Sequence, residues 1–406
     1  MADAPTGQHS GPLAGLRVLD IATIIAGPSA ATLLADYGAD VLKLELPRVG
    51  DGARGFPPHK DGKALWWKVT NRGKRFATLD MRQPAGAALL LKMLPRFDVL
   101  VENFRPGTLD GWGLDKAALW KAQPGLVILR VSGFGQTGPY RHRPGFARVF
   151  EAMGGLTHLT GEPDGQPMHA GYPVADNVGG LFGAVGVLAA LLHRARNPGA
   201  PGEEIDLSLV ESTLKLLEFL PIEHQQLGTV RQRSGNASQY SAPSAVFLTQ
   251  DERWVTLAGS TNPLFAANCR AIGRPELAAD PRFASNGTRV QHSAELNALF
   301  GHWIAQRPLA EVLAAFDAAG GTVAPIYGID QIAADPQMQA RQALCDVPDD
   351  DFGSVQMATV VPRFAINPGA IRHSGGALGQ HNRAVYIDEL GLTEAELQAL
   401  IDAGTV

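Results

Sequence analysis

Asp176 stands in the stretch GYPVADNVGG, between a turn-rich segment and a long apolar run. A lone carboxylate ahead of a helix is commonly an N-cap. Two features add a chemical reading. Gly179 and Gly180 leave room for another backbone or a ligand. A helix over Asn177–Arg196 would also turn its positive end toward the aspartate and any anionic intermediate. Carboxylates held in sites of that kind act as covalent nucleophiles.

Three further clusters suit an anionic, nucleotide-like ligand. Gly133, Gly135 and Gly138 form a G-x-G-x-x-G after the apolar run Gly125–Ser132. A dinucleotide turn needs a helix directly afterwards. Here Pro139 and Pro144 bracket Tyr140, Arg141, His142 and Arg143, which have no helical apolar period. What remains is a cation-rich glycine loop, suited to an anion or to a solvated turn. In VTNRGKR (69–75), Asn71, Lys74 and Arg75 flank Gly73, which suits either a phosphate grip or a solvated hairpin. In VENFRPG (101–107), Asn103, Phe104 and Arg105 end a strand, where the ring would stack on a base or simply fill the core.

The elements that would carry these groups alternate. Apolar strands over Leu16–Ala22, Asp40–Leu46, Asp98–Phe104 and Gly125–Ser132 are separated by helical spacing over Gly27–Gly38, Gln83–Leu94 and Leu114–Gln123. Such β-α-β units predict an α/β fold on a parallel sheet, with ligands outside the strand C-termini. The loops after residues 22, 46, 104 and 132 should therefore converge. From about Leu227 turn residues separate strand-like runs, which predicts a second, smaller α+β domain. The division expected is 1–226, 227–322 and a C-terminal segment 323–406 that returns to the large domain. Thr393 and Glu396 make a capping-box helix start.

Composition bounds the rest. The chain has 406 residues, 45% hydrophobic and 18% charged, with a formal charge of −5. That balance argues against nucleic-acid binding. Cys269 and Cys345 stand alone, and no histidine has paired spacing, so neither a structural zinc nor another metal site is expected. The run Leu181–Leu192 is short for a bilayer, and the first residues have no leader pattern. A cytoplasmic protein without membrane partners is the expectation.

Taken in order, GLRVLDIATIIAGPSAATLLADYGADVLKLE, NRGKR, VENFRPG, SGFGQTGPY, PVADNVGGLFGAVGVLAALLHR, GEEIDLSLVES and ALGQHNRAVYIDELGL resemble the class III CoA-transferases, the family of formyl-CoA transferase and the carnitine and bile-acid CoA-transferases. LTHLTGEPDGQPMHAGYPVAD is similar to the branch that moves CoA between dicarboxylic acids. The resemblance implies a Rossmann-like large domain, a small domain and an interlocked homodimer. It also implies coenzyme A as co-substrate, carried by an acyl-CoA, and a free carboxylic acid as partner.

The resemblance makes Asp176 the catalytic carboxylate. Lys74, Asn71 and Arg75 match the CoA-phosphate stretch. Asn103, Phe104 and Arg105 match the segment beside adenine and ribose. Val131, Ser132, Gly133 and Phe134 match the pantetheine loop, and Ile25 and Ala26 the loop after the first strand. Leu46 departs from an arginine frequent in the family, with Arg48 its substitute. Ser132 and Gly111 stand where formyl-CoA transferase has a lysine and an arginine. Arg148, Arg54 and His169 are the candidates for a distal substrate carboxylate. The same fold serves α-methylacyl-CoA racemase, whose proton-shuttling histidine is matched here by Phe146, a residue without a titratable group. A non-catalytic CoA-binding protein is the remaining alternative.

Overall fold

Six short apolar strands build the sheet that carries the site. The structure is a computed structural model that describes residues 10–406; residues 1–9, part of the stretch read as lacking a leader, lie outside it. In chain order the first unit contains β1 (Arg17–Asp20), α1 (Ala26–Asp36), β2 (Asp40–Glu45), β3 (Arg75–Thr78), α2 (Pro84–Met93), β4 (Val99–Glu102), α3 (Lys116–Ala122), β5 (Val127–Ser132), α4 (Ala147–Met153), α5 (Val174–Arg196), β6 (Glu204–Ser208) and α6 (Leu209–Leu216). All pairings are parallel and the strand order is β3-β2-β1-β4-β5-β6. The central strands β4 and β5 are buried throughout, as a sheet covered on both faces requires.

The order reverses between β1 and β4. Chain leaving these two strands at their C-terminal ends departs in opposite directions, which opens a crevice there. One face of the sheet packs on α1 and α5, the other on α2 and α3.

Glycines let α5 sink against its neighbours. A Cβ at Gly180 would lie 2.7 Å from that of Ser29 on α1, and one at Gly183 would lie 2.9 Å from Leu129 on β5. By length and composition α5 could cross a membrane. Its contacts with α1 and the sheet make it a core helix of this unit.

Helix α5 begins at Val174, three residues before the expected start, with Pro173 at the cap position. Asp176 is therefore in the first turn. It caps nothing, and its side chain is released for another use.

The chain divides into two compact units. One comprises the chain up to Thr157, His169–Thr229 and Arg341–Val406; the other comprises His158–Met168 and Val230–Ala340. The second has an antiparallel sheet of β7 (Ser244–Leu248), β8 (Trp254–Ala258) and β9 (Val323–Pro325), with the order β9-β8-β7. It extends past the expected end at 322 because β9 pairs with β8 and completes that sheet. In the C-terminal part of the first unit, a hairpin of β10 (Leu344–Asp349) and β11 (Gly353–Ala358) precedes α7 (Glu394–Asp402), which opens on the Thr393–Glu396 capping box.

Candidate active site

Loops after β1, β4 and β5 meet at a cavity of about 290 Å³ lined by Thr23, Ile24, Ile25, Ala26, Asn103, Phe104, Arg105, Val131, Ser132 and Gly133, with Asp176 in its wall. Arg141, Arg143 and Phe146 line it as well. The convergence expected of these three loops is present. The loop after β2 differs: residues 46 and 50–51 line a separate small cavity.

Asp176 is 8% exposed. Its carboxylate takes no hydrogen bond from the described residues. Burial first, and the nearby Glu151 second, push it up to about 6 from the usual 3.8. A buried carboxylate without donors is costly, and such groups concentrate at functional sites.

Glu151, on α4, was not singled out by its sequence context. It is 1% exposed. One oxygen accepts the amide of Ala175 at 3.3 Å, and the other lies 3.2 Å from His169 Nδ1. His169 thus backs Glu151 and lines neither cavity, contrary to its expected substrate role. Glu151 is thus held beside Asp176 by the start of α5 itself.

A second cavity, about 230 Å³, shares Ile24, Ile25, Phe146 and Asp176 with the first. Its other walls are mostly apolar, from Phe56, Trp66, Ala147, Ala170, Tyr172 and Pro173, with Arg148 the one cation. Arg148 is exposed and forms no ion pair among the described residues. Arg54 is committed elsewhere: it grips Glu45 at 2.6 and 2.7 Å and stacks 3.8 Å over Trp67.

The VTNRGKR cations are not in the cavity. Lys74 is fully buried, with Nζ 2.8 Å from Asp20, 2.9 Å from the Asn71 side chain and 2.9 Å from the carbonyl of Pro28. Burial outweighs these partners and brings its ammonium down to about 8. Arg75 pairs with Asp40 and Glu389. Lys74 thus bonds to Asp20, Asn71 and the Pro28 carbonyl beside the loop after β1, while Arg75 is tied to Asp40 at the start of β2. Arg48 is exposed in the loop after β2 and lines neither cavity.

Asn103 has a backbone role. It accepts from Thr23 N at 2.7 Å and donates to Thr23 O at 2.7 Å, which ties the loop after β4 to that after β1. Phe104 packs edge-on to Trp112, and Phe134 edge-on to Phe150, behind the cavity. Ser132 Oγ is buried on the cavity wall with no hydrogen-bond partner in the described residues. The free cations on the rim are Arg105, Arg141 and Arg143, which form no ion pair among the described residues. Arg141 and Arg143 stand in the sequence as charges of the glycine loop, and the fold brings them to the cavity that Asp176 also lines.

Residues 13–382 match the family model described as CoA-transferase family III. The chain is 41% identical over 390 residues to the succinyl-CoA–D-citramalate CoA-transferase of Chloroflexus aurantiacus, covering 96% of both. It is 40% identical over 393 residues to the beta subunit of succinyl-CoA–L-malate CoA-transferase of the same organism, again covering 96% of both. A solved CAIB/BAIF family protein from Brucella suis superposes with a TM-score of 0.81 at 33% identity, over 93% of this chain and 99% of that one. On this sequence and structural likeness, which spans nearly the whole chain, the protein is an enzyme belonging to CoA-transferase family III.

Proposed function

We propose that this enzyme moves coenzyme A from succinyl-CoA, or a similar acyl-CoA, to a second dicarboxylic acid through covalent intermediates on Asp176. The observation that carries the reading is the position of Asp176: a buried carboxylate without hydrogen-bond donors, where two cavities meet. The cavity rimmed by Arg105, Arg141 and Arg143 takes the CoA arm, with its phosphates toward the guanidinium groups. The apolar cavity takes the acid, and Arg148 pairs with its far carboxylate. The citramalate and malate named for the two relatives are both dicarboxylates, which fits one cation at the end of an apolar wall.

The chemistry follows in balanced steps. An Asp176 oxygen attacks the thioester carbonyl, the C–S bond breaks, and CoA leaves as thiolate. The product on the enzyme is a mixed anhydride. The thiolate attacks the aspartyl carbonyl, its C–O bond breaks, and the donor acid departs as carboxylate. The acceptor carboxylate then attacks the aspartyl-CoA thioester and the sequence runs in reverse. Thioester energy is retained, so the exchange needs no ATP. Each addition creates an oxyanion, and backbone amides at the start of α1, whose residues Ile25 and Ala26 line the cavity, are the donors proposed for it.

A screen of donor thioesters against free acids, read by mass spectrometry, tests the reading. Succinyl-CoA with a C4 or C5 diacid should exceed acetyl-CoA with a fatty acid by roughly 30-fold or more in kcat/KM. Arg148→Ala should shrink that preference more than it slows a monocarboxylate. A best acceptor without a second carboxylate would overturn the dicarboxylate reading. Asp176→Ala that keeps more than about a tenth of the turnover would overturn the covalent one.

The homodimer belongs to the same proposal. Leu181, Val185, Leu188 and Leu192 form an exposed apolar stripe on α5 at helical spacing. A second copy is the cover proposed for it, and light scattering of the purified protein checks the mass.

A further inference from the structure

Ile24 adopts φ +69°, a left-handed conformation that is strained for a β-branched residue. It lies at the edge of both cavities, one residue before the cap position of α1. The loop around it is clamped group by group. Asp20 accepts Ala22 N at 3.0 Å, and Lys43 Nζ donates to Ala22 O at 2.6 Å. Asn103 holds both backbone groups of Thr23.

The Ile24 amide is held by Asp51, whose two carboxylate oxygens lie 3.0 and 3.2 Å away. Asp51 is itself buried, paired with Lys43 at 3.0 Å, and accepts Ala53 N at 2.9 Å. Beyond this point α1 starts without a side-chain cap, and its first amides have no intrahelical acceptor. Ile25 and Ala26 line the cavity that holds Asp176, where the buried Ser132 Oγ is also unpartnered.

We propose that Asp51 is a positioning residue: it holds Ile24 in the left-handed turn that aims the amides of Ile25 and Ala26 at the oxyanions formed on Asp176. The inference rests on the CoA-transfer reading. It assigns the buried Asp51–Lys43–Asp20–Lys74 chain a task in catalysis as well as in folding. Asp51 touches no reactant. It acts through one backbone dihedral, which glycine would adopt without help.

That property supplies the test. Asp51→Ala is measured in the unmodified enzyme and in an Ile24→Gly background, with active sites counted by trapped aspartyl-CoA. In the unmodified background it should lower kcat by about tenfold or more and change KM for the acyl-CoA by less than about threefold. With glycine at 24 the same substitution should cost less than about threefold, because the turn no longer needs its acceptor. Both glycine variants lose the isoleucine wall alike, so the ratio between them reports Asp51 alone. If the alanine variant does not fold, Asp51→Asn goes through the same two backgrounds. Equal costs in the two backgrounds, or a loss of stability without a loss of kcat, would overturn the inference while an active unmodified enzyme leaves the transfer reading intact. An unmodified enzyme that forms no aspartyl-CoA would overturn that reading, and the catalytic task of Asp51 with it.

Discussion

Glu151 accepts the amide of Ala175 at 3.3 Å, so the residue that fixes the start of α5 also sets a negative charge beside Asp176, the next residue in the chain. Attachment and electrostatic tuning come from one carboxylate. The first prediction concerns this pair. In the proposed mechanism only ionised Asp176 attacks, so the rate of the first half-reaction should rise with pH through a limb near the raised value of about 6. Glu151→Gln keeps an acceptor for Ala175 but removes the charge, and the limb should move to lower pH. A pH profile of kcat/KM checks this; an unmoved limb would assign the whole shift to burial.

The same shift has a sign in stability. Between the usual 3.8 and about 6, folded Asp176 holds a proton that the unfolded chain has released. Stability therefore falls as pH rises through that window and stays lower above it. Asp176→Asn should stabilise the protein by on the order of 2 kcal/mol near neutral pH, with the gain vanishing at low pH. Thermal melts at the two extremes measure it, and a destabilised variant at neutral pH would contradict the burial argument.

Lys74 and Arg105 should separate cleanly. Lys74→Ala leaves Asp20 buried without its nearest cation and should destabilise the fold by about 3–5 kcal/mol. In the fraction that stays folded, KM for the acyl-CoA should be nearly unchanged. Arg105→Ala should leave the melting temperature alone and raise that KM, and the increase should shrink as salt is added. Denaturant melts and a salt series decide; a Lys74 variant with normal stability and a raised KM would restore that residue to phosphate binding.

Phe146, which the resemblance matches to the racemase histidine, lies on the wall of both cavities. Phe146 itself has no group that takes or returns a proton. A 2-methylacyl-CoA incubated with the enzyme in D₂O should gain no α-deuterium. Rapid exchange in the absence of an acceptor acid would require a base on another residue.

Much of the fold was legible because buried parallel strands are continuous apolar runs. The four strands read in this way are present as β1, β2, β4 and β5, with ends shifted by a residue or two, while β3 was not read as a strand. The site was legible only in part. Ile25, Asn103 and Arg105 follow strand ends, Ser132 closes β5 and Asp176 lies in the first turn of α5, and the sheet gathers them. Lys74 misled because a cation next to glycine looks solvent-exposed, while its partner Asp20 is 54 residues away. Glu151 was hidden for a related reason: on a short helix it reads as a polar face, and its burial depends on His169 and α5. Arg148 was proposed as a substrate residue and lines the second cavity, while His169 became the support behind Glu151.

The bare carboxylate of Asp176 bears on the energetics of the whole cycle. At neutral pH the free enzyme carries a buried anion that accepts no hydrogen bond from the described residues. In the proposed cycle, acylation of that anion or its conversion to a CoA thioester would give a neutral carbonyl derivative, so each proposed covalent species would discard a desolvation cost that the empty enzyme bears. The resting form is in this sense the uncomfortable one. An enzyme loaded with CoA and deprived of acceptor should accordingly be the long-lived form in solution, with the thioester waiting for an acid rather than for water.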